Sequence, residues 1–132
     1  MTELYLVRHG ETDWNAARRI QGRTDIPLND AGRAQARQAA ELLGRRRWDA
    51  VYASPLSRAH ETAAIIADRL GLGEVTDVDA LVERDYGAAE GMSFEQIEAL
   101  YPEGVRAPGQ ETRAEVAGRV VPALLALAER HP

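Results

Sequence analysis

Cysteine is absent from this 132-residue chain, which excludes disulfide frameworks, thiol nucleophiles and thiolate metal sites. No apolar run approaches the roughly 20 residues of a membrane span, and no charged leader precedes an apolar signal segment, so the expectation is a soluble cytoplasmic protein. Lysine is missing too: all 16 basic residues are arginine, set against 21 acidic residues for a formal charge of -5. That balance argues against nucleic acid or an anionic membrane as the main partner, and any basic site must be local. Arg45, Arg46 and Arg47 read as the solvated end of a helix. With only three histidines, and no helix pairing two of them, a metal hydrolase is disfavoured. Repeats, low-complexity tracts and linkers are lacking, and the length suits one domain over residues 1–132.

What is present starts with Leu4-Tyr5-Leu6-Val7-Arg8-His9-Gly10-Glu11-Thr12. An apolar run over Glu3 to Arg8 reads as a strand covered on both faces, as in a parallel sheet. It breaks into residues suited to phosphoryl chemistry. Arginine is an obligate cation that fits phosphate oxygens, histidine is a nucleophile or base near neutral pH, and glycine lets the backbone turn closely around a ligand.

The rest of the chain alternates. Asn29 can cap a helix whose face carries Gly32, Ala36, Ala39, Ala40 and Leu43, with Gly44 as its stop. A second strand is expected over Trp48 to Ala53, then a helix with Ser54 as N-cap and Pro55 as its first residue, carrying Ala59, Ala63, Ile66 and Leu70 on one face. A third, weaker strand covers Glu74 to Val78, and a short helix covers Ser93 to Tyr101. In the last helix Val116, Val120, Leu124 and Ala128 face the core, with Ala117, Val121 and Leu125 beside them and a kink at Pro122. This order implies right-handed crossovers and a three-layer α/β/α sandwich with a mostly parallel sheet. Ligands of such sheets sit beyond the carboxyl ends of the strands, where Arg8, His9, Arg58 and Glu83 fall.

Arg8-His9-Gly10-Glu11-Thr12, Asn15, Ser54-Pro55-Leu56-Ser57-Arg58-Ala59 with Thr62, and Glu83 to Gly91 together resemble the histidine phosphatase superfamily, in its phosphoglycerate mutase-like branch. Gln21 to Asp25, Pro27-Leu28, Gly32 and Pro108 to Thr112 extend the resemblance almost end to end. It implies that His9 attacks phosphorus to form a phosphohistidine. Arg8 and Arg58 would clamp the phosphoryl oxygens and keep His9 neutral by disfavouring a third positive charge, with Asn15 as a further donor. Glu83 would be the general acid, then the base that activates water. For Thr24 and Trp14 substrate contact and packing both stay open, Glu11 and Thr12 shape the loop, and His60 and His131 are structural or surface residues. No cofactor or metal is implied. The plainer readings are a core histidine for His9, a helix-surface arginine for Arg58 and a solvated acid for Glu83, which has Asp85 and Glu90 nearby.

One departure stands out. The family supplies a second histidine from a serine-histidine-glycine motif on a later apolar strand, and this sequence has no such motif. The expectation is therefore a C-terminally incomplete domain, ending about where that strand would start, with a weakened site and a bare sheet edge open to a homodimer. Three functions remain: a phosphomonoesterase acting through His9 on a phosphorylated small molecule; a mutase returning the phosphoryl group to another hydroxyl; and a pseudo-phosphatase or fragment that binds phosphate without turnover. Short connections favour hydrolysis over mutase action.

Overall fold

The computed structural model describes residues 1–132. Its helices form where local caps exist. A one-turn helix, α1 (Asp13–Ala16), forms because Thr12 and Asn15 make a reciprocal capping box. α2 (Asp30–Leu43) starts at Asn29, whose side chain accepts from the Gly32 amide at 2.8 Å, and it buries Gly32, Ala36 and Ala40. α4 (Phe94–Leu100) and α5 (Arg113–Arg130) start at capping boxes built on Ser93 and Thr112.

α3 (Ser57–Leu70) departs from expectation at its start: its N-cap is Leu56, with no side-chain cap of its own. Ser54 instead accepts from the Leu56 amide at 3.3 Å within the preceding turn. The cap comes from far along the chain, since Asp25 accepts from the Ser57 amide at 2.7 Å and the Ser57 hydroxyl at 3.0 Å. A carboxylate there also meets the positive end of the helix dipole.

The sheet is parallel, as expected, but short: β1 (Tyr52–Ala53) pairs with β2 (Thr76–Asp77), in register Tyr52 to Thr76 and Ala53 to Asp77. The expected first strand, Glu3 to Arg8, joins no ladder and makes no backbone hydrogen bond. Leu4, Tyr5, Leu6 and Val7 are 47%, 53%, 79% and 46% exposed, so the apolar run lacks the cover that its composition calls for. α2 packs on α3, α3 on β1, and α5 on the 3-10 turn Asp79–Leu81. A cavity of about 700 Å³ is lined by Leu4 to His9, by Ile66 and Leu70 of α3 and by Val116, Val120 and Leu124 of α5. α5 runs through Pro122 as one helix; Leu127 is its buried residue, while Val121 and Leu125 face solvent. No helix is long and apolar enough to cross a membrane.

Candidate active site

His9 sits at the end of the apolar run, half-buried, on a turn fixed by two neighbours. The Gly10 amide donates to the Thr62 hydroxyl at 3.1 Å, and that hydroxyl donates to the Arg58 carbonyl at 2.7 Å, so α3 anchors the turn. On the other side Gly10 lies against α2: a Cβ added to it would meet the Gly32 carbonyl oxygen at 2.3 Å, and one added to Gly32 would meet the Glu11 carbonyl oxygen at 2.1 Å. Glycine at both positions lets the two backbones touch.

The His9 ring has a defined polarity. Its Nδ1 lies 2.6 Å from the Gly10 carbonyl oxygen. A carbonyl only accepts, so Nδ1 carries a proton and the neutral ring keeps its lone pair on Nε2, which has no protein partner. Burial holds the imidazole below its ordinary pKa, and the nearby Arg58 and Arg8 charges push the same way, against opposition from the Gly10 carbonyl and Glu83. Desolvation thus outweighs the two arginines, which the sequence reading had made the main cause.

Arg8, His9, Asn15, Arg58 and Glu83 all line the cavity. Arg8 is exposed and forms no hydrogen bond or ion pair within the protein. Arg58 is 1% exposed, and its Nη1 donates to the Thr24 carbonyl at 2.7 Å and its Nη2 to the Gly22 carbonyl. Carbonyls orient this guanidinium without neutralising it. Asn15 uses Oδ1 to accept from the Thr12 amide at 3.0 Å, leaving Nδ2 with no protein partner. Glu83 is exposed, and its Oε1 accepts from the Arg84 amide at 2.8 Å.

Thr24 stands elsewhere. It does not line the cavity, and its hydroxyl donates to Glu90 Oε1 at 2.6 Å; only its carbonyl faces the site, through Arg58. Trp14 packs under the Arg19 guanidinium at 4.5 Å. His60 donates to Asp77 at 2.6 Å, and His131 meets the Tyr52 ring edge to face and hydrogen-bonds with its hydroxyl at 2.8 Å; neither lines the cavity. Sequence reasoning missed two supporting acids. Glu111, held by Arg119 and the Asp85 amide, has a pKa of about 2. Glu90 was set aside only as a neighbour of Glu83.

The sequence profile of the histidine phosphatase superfamily (branch 1) matches residues 4–132. The chain belongs to the histidine phosphatase superfamily. Relatives within it include the uncharacterized phosphatase PhoE of Bacillus subtilis, 44% identical over all of this chain and 67% of its own length. A metal-independent phosphoserine phosphatase of Arabidopsis thaliana is 40% identical over 99% of this chain and 60% of its own length. Among solved members, a mycobacterial glucosyl-3-phosphoglycerate phosphatase in complex with VO3 superposes with a TM-score of 0.86 at 35% identity, over 94% of this chain and 66% of that one. The α/β class of the superfamily therefore holds for this chain although its sheet is short. The chain spans about two thirds of the length of these three relatives.

Proposed function

We propose that the chain carries a phosphomonoesterase site acting through a phosphohistidine on His9, with a phosphorylated small molecule as substrate and the cytoplasm as its place of work. The observation that carries this reading is the His9 ring, whose Nδ1 is committed to the Gly10 carbonyl and whose Nε2 has no protein partner, on a residue that lines a cavity together with Arg8 and Arg58, neither of them hydrogen-bonded to a carboxylate. The phosphatase names of the relatives support the same chemistry.

In the first step the Nε2 lone pair attacks phosphorus, the bond to the ester oxygen breaks, and protonated Glu83 gives its proton to the leaving alcohol. Arg8, Arg58 and the free Asn15 amide meet the charge on the equatorial oxygens. In the second step Glu83 takes a proton from water as the water oxygen attacks phosphorus. The N–P bond breaks, releasing inorganic phosphate and the neutral ring. No step draws on a cofactor.

The test is hydrolysis of 4-nitrophenyl phosphate by the 132-residue chain, with and without chelator, beside His9→Ala. Chelator-insensitive release of phosphate that disappears in the variant supports the reading. Binding of phosphate with no release by the wild type would replace it with a pseudo-phosphatase, and isomer formation from 3-phosphoglycerate without net release would replace it with a mutase.

A further inference from the structure

We propose that Glu90 is a positioning residue for Arg58, acting through the loop that holds the guanidinium; this rests on reading Arg58 as the phosphate clamp. Arg58 is among the most buried side chains in the molecule, yet no carboxylate hydrogen-bonds to it. Its two Nη groups are aimed by the carbonyls of Gly22 and Thr24, so its place depends on where the segment 22–24 lies. Glu90 fixes that segment. Its Oε1 accepts from the Thr24 hydroxyl at 2.6 Å, and its Oε2 accepts from the Arg23 amide at 3.0 Å and the Tyr86 amide at 3.1 Å.

Gly22 is shaped to the same contact. Its φ of +54° is left-handed, and a Cβ there would lie 2.3 Å from Glu90 Oε2, so the carboxylate rests directly on the loop backbone. Glu90 is itself anchored from both sides of its peptide. The Glu90 amide donates to the Gly87 carbonyl at 3.1 Å, and the Gly91 amide to the Ile20 carbonyl at 2.7 Å. One carboxylate therefore ties the Arg58 cradle to the segment 83–90 that carries Glu83. It does so without a direct ion pair to Arg58, so all the remaining guanidinium donors stay available to an anion. The carbonyl cradle supplies direction, and Glu90 supplies rigidity to the cradle.

The substitutions separate position from charge. Glu90→Ala leaves the Thr24 hydroxyl and the Arg23 and Tyr86 amides without their acceptor. Glu90→Gln keeps an oxygen for the two amides and turns its NH2 toward the Thr24 hydroxyl, which can accept. The readout is the affinity of the full chain for tungstate, a phosphate mimic, by isothermal titration calorimetry, so it needs no turnover. The expected result is that Glu90→Ala binds about tenfold to a hundredfold more weakly, the scale of a misplaced clamp, while Glu90→Gln stays within about threefold of wild type. Amide exchange of α2 and α3 serves as the folding control, and faster exchange at Arg23 and Tyr86 alone marks the local effect. Should Glu90→Ala fail to fold, Thr24→Val removes one strut and is expected to weaken tungstate severalfold. Wild-type affinity in a folded Glu90→Ala or in Thr24→Val, or a Gln variant as weak as Ala, overturns the proposal. Arg58→Gln identifies the other failure: if it leaves tungstate affinity unchanged, Arg58 is no clamp and the reading beneath the proposal falls with it.

Discussion

At the scale of single residues, the two nitrogens of His9 differ: one is bound to a carbonyl and the other has no protein partner. With Nδ1 bound to a carbonyl and burial opposing protonation, the ring is held neutral below the usual imidazole range, as the proposed attack on phosphorus requires. In the proposed reaction the deprotonated ring attacks, so kcat/KM is expected to fall on acidification, with the midpoint of that acid limb below 6.5, the ordinary value of the group. A limb centred at or above it, in a pH profile with 4-nitrophenyl phosphate, would contradict the burial argument. Asn15 offers a second check. Asn15→Asp keeps the Oδ1 that caps α1 but replaces the free Nδ2 with oxygen facing the anion, so tungstate affinity is expected to drop at least tenfold while thermal stability changes little. Arg8, His9, Arg58 and Glu83 were legible as a group because each follows a strand-like segment. Glu90 was not, since its partners Arg23 and Thr24 lie over sixty residues away and no local pattern marks such a brace.

At the scale of elements, legibility tracked the distance of the partner. Asn29, Ser93 and Thr112 cap helices through bonds three residues away; the starts at Asn29 and Ser93 were read from their neighbours, while the start at Thr112 was not. The start of α3 could not, because its cap, Asp25, comes from another loop. The apolar period of Glu3 to Arg8 was equally clear, but a strand needs paired neighbours, and pairing is not written in its own residues. The segment before Glu83 shows another remote clamp: Arg119 of α5 donates to the carbonyls of Ala80 and Val82 at 2.7 and 2.6 Å and to Glu111 at 2.7 Å. Arg119→Met should cost about 2 kcal/mol in urea unfolding, the order of a charged hydrogen-bond set partly open to water. Glu111 adds a pH dependence. Its folded pKa is depressed to about 2 from 4.5, so its contribution is fully present above pH 4.5 and is lost as the pH falls toward 2. Unfolding midpoints for wild type and Glu111→Gln should converge over that window; a constant gap would contradict the assignment.

At the scale of the molecule, Leu4 to Val7 present unpaired backbone and exposed apolar side chains beside an apolar cavity. With these side chains about half exposed, covering each would favour association by roughly 1 kcal/mol, and unpaired extended backbone is a template for another strand. Association through this segment into a homodimer or larger species is therefore the expected behaviour. Light scattering should show mass rising with concentration, and Leu6→Glu, at the most exposed of these positions, should suppress the rise without lowering stability. The contact between Gly10 and Gly32 reaches further than the turn it shapes. Because each glycine leaves room for the backbone of the other segment, neither position can drift alone, and a compensating change at one cannot make space for a methyl at the other. For anyone diversifying this protein by random mutagenesis, the pair marks a seam where libraries will return glycine at both places or no folded protein.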